Sequence, residues 1–154
     1  MISYAVIPEA DAIGETLYKN FGQWPDIPKI KYLIKISDKS RVNGQISKAT
    51  GKWQYLTQYD YVLEVWDGFW TTATAIQKEA LIYHELYHIS FKEDEDTGEI
   101  TWKLKDHEIE EFLDVAKKYG AWNEALKELQ FILARETPNI PVAPQIVEDV
   151  KPNV

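Results

Sequence analysis

The sequence predicts an α+β domain, with an N-terminal helix, a sheet of three to four strands packed on a central helix, and further helices toward the C-terminus. Three observations carry that expectation. Apolar residues recur with period two through Ile30–Ile36, Tyr59–Trp66 and Ile100–Lys105. The stretch Thr74-Ala75-Ile76-Gln77 has the form of a capping box and opens an apolar run too long for a strand. Helical spacing then returns after His107.

Taken in order, Glu9–Asn20 places Ile13 and Leu17 one turn apart, with Gly22 just beyond as a stop. Phe21–Pro28, containing Trp24-Pro25 and Ile27-Pro28, reads as an extended connector, because a residue before proline avoids helical backbone. Ile30, Tyr32, Ile34 and Ile36 alternate with Lys29, Lys31, Leu33 and Lys35, which predicts a half-buried strand with a basic outer face. Ser37–Gly51, with Asn43-Gly44 in its middle, is a basic, turn-rich connection suited to a hairpin. Aromatic and β-branched residues crowd Trp53–Trp66 and predict one strand over Lys52–Leu56 and another over Tyr59–Trp66, ended by Asp67-Gly68.

The central helix is expected over Thr74–Ile89. Its apolar residues Ile76, Leu81, Ile82, Leu86 and Ile89 cover more than one stripe, which predicts burial on most sides. Ser90–Lys105 reads as a hairpin around the acidic run Glu93–Glu99, a solvated turn whose spacing does not match a twelve-residue calcium loop with glycine at its sixth place. His107–Tyr119 follows as a helix, acidic in its first turn and basic in its last, with Gly120 closing it. A further helix carries Trp122, Leu126, Leu129, Phe131 and Ile132. Residues 1–136 thus form one domain, and the Pro-rich residues 137–154 an extended or disordered tail.

Composition narrows the chemistry. The chain has no cysteine, so a metal would be held by histidine and carboxylate rather than thiolate. No secretory leader or membrane-spanning run is present, and the expected location is cytoplasmic, without a membrane partner. A net charge of −8 disfavours general nucleic-acid binding. Between Lys29 and Lys52, however, seven basic residues face one acid, Asp38, leaving −14 for the rest of the chain. That stretch reads as a solvated strand face and loop; Lys29, Lys31 and Lys35 are where nucleic acid would attach if the chain took any.

The central helix contains His84-Glu85-Leu86-Tyr87-His88. Helical i, i+4 spacing puts both imidazoles on one face, one turn apart, where they can hold one Zn²⁺, with Glu85 beside the metal and not bound to it. Such a site suits peptide hydrolysis through a metal-activated water with Glu85 as general base. A weaker expectation gives Tyr83 or Tyr87 a part in stabilising the oxyanion. A catalytic zinc needs a third protein ligand and an open position. His107 is the remaining histidine, and a hairpin return brings it within reach. Asp94 ranks below it, since a turn that close to the helix wants glycine where Phe91 stands. Glu108 and Glu111 are the carboxylate competitors, and Glu111 is expected instead as the group that orients an imidazole.

Ala80–Ile89, followed after a strand-like return by His107-Glu108-Ile109-Glu110-Glu111-Phe112, resembles the phage metallopeptidase family found in bacteriophages and prophages, and more distantly the SprT-like zinc peptidases. In that family the later histidine is usually followed by Asp, where this chain has Glu108. The resemblance implies a zincin-like arrangement of a small sheet, an active-site helix against it and a following helix that returns the third ligand. It also implies that an edge strand upstream of the helix, here about Tyr59–Trp66, holds an extended peptide or protein substrate by strand addition. Two rivals stand beside a zinc peptidase: a non-catalytic interaction protein stabilised by zinc, and a peptidase recruited to nucleic acid through the basic 29–52 segment.

Overall fold

The computed structural model describes residues 1–21 and 24–135. The tail expected beyond residue 136 lies outside them. Among the described residues the architecture is α+β, with a four-stranded sheet, a separate two-stranded ribbon and six α-helices.

Strand β1 (Ser3–Val6) leads into helix α1 (Pro8–Leu17), whose proline in the first turn suits a helix start. A 3₁₀ turn, Tyr18–Phe21, carries the chain onward. Strands β2 (Ile30–Ile36), β3 (Gly44–Lys48) and β4 (Tyr61–Trp66) complete the sheet in the order β1-β2-β4-β3, with β2 and β4 parallel and both outer pairs antiparallel. Strand β1 gave no sequence signal, because all four of its residues are exposed and no buried face imposes alternation.

Two local expectations are corrected here. The Lys52–Leu56 segment is not a strand but part of helix α2 (Gly51–Thr57), entered at Gly51 with φ +55° and left at Gln58 with φ +61°. None of its residues is buried, so its aromatic side chains never meet the sheet face that would favour extended backbone. Nor does Ser37–Gly51 close a hairpin around Asn43-Gly44. Its second half is β3, which pairs with β4, and β4 inserts between β2 and β3.

After β4 come a single turn, α3 (Asp67–Trp70), and helix α4 (Ala75–Tyr87). The capping box forms as expected: Thr74 Oγ1 accepts from Gln77 N–H at 3.3 Å, and Gln77 Oε1 accepts from Thr74 N–H at 2.8 Å. Ile82 and Leu86 of α4 are fully buried against Tyr61, Leu63 and Val65, the inward-facing alternate residues of β4. Burial on most sides does not hold, since Ile76, Tyr83 and Tyr87 are exposed. The helix therefore presents one face to the sheet and leaves another free for chemistry. Its N-terminal half is tied to α1, where Glu9 accepts from Lys78 Nζ at 2.9 Å and from the Trp70 indole at 3.0 Å.

Strands β5 (Ile89–Glu93) and β6 (Ile100–Leu104) form the ribbon, joined by a turn in which Asp94 Oδ1 accepts from the N–H groups of Asp96 and Thr97. Helices α5 (Leu113–Tyr119) and α6 (Glu124–Leu133) finish the described chain, and neither contains a buried residue. The helix expected from His107 begins only at Leu113, because Phe112 holds extended backbone (φ −79°, ψ 136°). Residues 105–112 thus run as irregular chain.

Two buried phenols set a pH limit on this fold. Burial is the main cause pushing Tyr32 and Tyr61 well above the ordinary tyrosine range, and Tyr18 adds to it at Tyr32 through a hydroxyl–hydroxyl bond of 2.9 Å. Both folded-state pKa values lie above the unfolded one, so the stabilisation is complete below about pH 10 and declines as the pH rises past it. The urea midpoint is expected to fall between about pH 8 and pH 11; an unchanged midpoint would contradict this account.

Candidate metal centre

Helix α4 delivers the first two imidazoles. His84 lies in its last full turn, and His88 is the residue that caps its C-terminus while keeping helical backbone (φ −69°, ψ −20°). Their ring centroids are 5.2 Å apart. The third imidazole arrives from the irregular segment after β6: the His107 ring is 4.9 Å from His84 and 4.4 Å from His88, centre to centre. His84 Nε2 and His107 Nε2 are 2.9 Å apart, and one ligand atom from each of the three histidines falls within 4.8 Å of the others. Tetrahedral zinc with bonds of about 2.0–2.1 Å places two nitrogens about 3.3–3.4 Å apart, a spacing that falls between the 2.9 Å of the His84–His107 pair and the 4.8 Å that bounds the group.

His88 is held at both its ring and its backbone. Its Nδ1 lies 2.7 Å from the Lys105 carbonyl oxygen, and Lys105 N–H donates to the His88 carbonyl at 2.7 Å. A proton on Nδ1 satisfies that carbonyl and leaves Nε2 as the ligand atom. The reciprocal pair continues the β5–β6 ladder one step past Ile89 and Leu104. It also fixes where the chain turns toward His107.

Glu85 is the one buried charged residue among those described, only 5% exposed. Its Oε2 accepts from the Ile46 N–H of β3 at 3.0 Å. Burial raises its pKa, opposed by His88, by the Ile46 hydrogen bond and by His107. For His84 burial acts in the opposite direction, and with His107 and His88 beside it the imidazole is held toward its neutral form, the form a metal needs. The structure thus places three exposed or half-exposed imidazoles around one point and a buried carboxylate one residue after the first.

The competing ligands are elsewhere among the described residues. Asp94 is engaged by its own turn, and those backbone donors lower its pKa. Glu108 does not belong to the three-residue group. Glu111, expected to orient an imidazole, instead accepts from Phe112 N–H at 2.8 Å and from the Trp122 indole at 2.8 Å. It braces the start of α5 and the entry to α6. The imidazole-orienting partner is the Lys105 carbonyl, a backbone group that no side-chain motif could announce. Ile46 N–H, which holds Glu85, escaped sequence reasoning for the same reason. Tyr83 and Tyr87 stack on each other and pack against Phe21, with Lys105 Nζ 3.8 Å from the Tyr87 ring centre.

A family model described as Putative phage metallopeptidase matches residues 3–130. The chain belongs to this family. The phage metallopeptidase match runs from β1 into α6, so it takes in the whole sheet, the three histidines and Glu85. No curated protein and no solved structure matches the chain. The described residues include no helix long and apolar enough to cross a membrane.

Proposed function

We propose that this family member is a zinc-dependent peptidase, encoded by a phage or prophage and active in the host cytoplasm, with His84, His88 and His107 as metal ligands and Glu85 as general base. The observation that carries the reading is the conjunction of three converging imidazoles with a buried carboxylate next to the first of them. A metal that only braced the fold would have no use for a charged group sequestered there, and this weighs against the non-catalytic alternative.

Zinc supplies Lewis acidity toward water and toward the scissile carbonyl. The remaining chemistry belongs to the chain. Glu85 takes the proton from the attacking water and passes it to the leaving amine, and desolvation raises its proton affinity for that task. Ile46 N–H keeps one carboxylate oxygen fixed and leaves the other to move the proton. The Lys105 carbonyl holds the His88 ring in one tautomer and one orientation.

Substrate placement needs one revision of the expected arrangement. Tyr59–Trp66 is not an edge, because β4 is flanked by β2 and β3. The edge strand on the side of α4 is β3. Asn43 carbonyl accepts from Trp66 N–H, and Ala49 N–H donates to the Asp60 carbonyl, so the odd-numbered residues of this pair bond to β4. Gly44, Ile46 and Lys48 therefore direct their backbone groups away from it. An extended peptide added along β3 passes Glu85, which already sits on the Ile46 N–H.

Removing the metal tests the reading directly. Hydrolysis of an unstructured protein substrate is expected to disappear after dialysis against a chelator and to return with one equivalent of Zn²⁺. Hydrolysis that survives complete metal removal, verified by native mass spectrometry, would overturn it.

A further inference from the structure

The helical turn that presents His84 and His88 has two flanks. At about 100° per residue, Glu85 lies one step around α4 from His84 on one side, and Tyr83 and Tyr87, each one residue before a histidine, lie one step around on the other. Glu85 meets β3, so the tyrosines form the opposite wall of the centre. Their ring centres are 6.1 Å apart, and Phe21 braces them at 5.2 Å from Tyr83 and 6.2 Å from Tyr87. Both stay partly open to solvent, at 38% and 48%. Lys105 completes this wall. Its backbone N–H and carbonyl are both bonded to His88, which fixes the residue against one of the proposed ligands. Its ammonium lies 3.8 Å from the centre of the Tyr87 ring. Ion pairs among the described residues join Lys78 to Glu9, Lys117 to Asp114 and Lys127 to Glu124, and Lys105 is in none of them. Asp106 and Glu108, exposed on either side of His107, are in none of them either.

We propose that Lys105 determines specificity by binding a carboxylate of the peptide substrate, either an acidic side chain or the free C-terminus. The inference rests on the peptidase reading and names the substrate class of that site. Division of labour between the two walls supports it. The β3 side offers backbone groups, which hold any extended peptide and read no side chain. Discrimination therefore falls to the opposite wall, where Lys105 is the cation. The Tyr87 ring face positions the ammonium without neutralising its charge, and no carboxylate among the described residues does so. A carboxylate is the anion that an unmodified peptide carries. Because Lys105 is bonded to His88 and an extended peptide advances about 3.4 Å per residue, the selected group lies within about three residues of the bond cut.

The test uses the full, zinc-loaded chain and a peptide library from a digested cell lysate, offered as it is or with every carboxyl amidated. Cleavage sites are read by mass spectrometry. Cleavage of the unblocked library is expected to exceed that of the amidated one about fivefold, the upper end for an exposed ion pair. Asp and Glu enriched at one fixed offset from the cut would assign the carboxylate to a side chain, and cuts at one fixed distance from peptide ends would assign it to the C-terminus. Lys105→Met should remove the preference, Lys105→Arg should keep it, and Lys105→Glu should turn it toward Lys and Arg. Zinc content is expected to stay as in the parent, because the Lys105 backbone is what holds His88. Native mass spectrometry of the zinc-loaded Glu85→Gln variant, mixed with free and amidated forms of the same peptides, should give the same ranking without turnover. Equal cleavage of the two libraries, or a carboxylate preference that survives Lys105→Glu, would overturn the proposal and leave the peptidase reading standing. Cleavage of neither library would overturn the peptidase reading, and equal retention of free and amidated peptides by Glu85→Gln would then overturn the carboxylate site as well.

Discussion

Glu85→Gln is expected to keep the metal and to lose peptide hydrolysis by a factor of about 10²–10⁴, the usual contribution of a positioned general base. The substitution preserves shape, and the amide oxygen can still accept from Ile46 N–H across the 3.0 Å now spanned by Oε2. It removes the capacity to take a proton. Because burial disfavours the carboxylate, the neutral amide also relieves a desolvation cost, so thermal stability should hold or rise. Metal stoichiometry by native mass spectrometry, beside turnover of an unstructured protein, separates the two effects. A variant that still hydrolyses at the parent rate would remove Glu85 from the chemistry.

The second large effect is expected at His107. Its imidazole is exposed and is supplied by irregular chain, so His107→Ala should leave the sheet and α4 intact by circular dichroism. The histidine pair on α4 would then lack its third arm. Loss of groups that merely support a ligand already costs about 10–100-fold in metal affinity, and loss of the ligand itself should exceed the upper figure. Titration with zinc against a competing chelator measures it. Glu111→Gln supplies the contrast: that side chain bonds to Phe112 and Trp122, so the variant should change the seating of α5 and α6 and leave zinc affinity near the parent value. Equal losses in the two variants would show that the loop, rather than the imidazole, holds the metal.

What was legible in the sequence divides along a physical line. Helix α4 and strand β4 could be read because burial of one face writes a period into the chain, seen in Tyr61, Leu63 and Val65 and in the Thr74–Gln77 cap. The histidine pair could be read because helical geometry converts a spacing of four into a shared face. Helix α2 and strand β1 could not, since both are exposed and neither has a core to impose its period. His107 was reachable by elimination, as the one histidine left over, but its setting was misjudged: acidic and basic residues at suitable ends suggested a helix that begins six residues later. The partners that orient the site, Ile46 N–H and the Lys105 carbonyl, belong to the backbone and carry no residue code.

The clamp between His88 and Lys105 has a further consequence. The two histidines on α4 and the one after β6 stand on either side of the whole β5–β6 ribbon, so an ion shared among them closes that ribbon into a ring through non-peptide bonds. In chain-entropy terms such a cross-link restricts the unfolded chain much as a disulfide would, and for a loop of about 15 residues that restriction is worth about 3 kcal/mol. This chain has no cysteine with which to make a covalent version. The proposed ion would then also act as a cross-link, and removing it should expose the β5–β6 ribbon and the 105–112 segment to added protease.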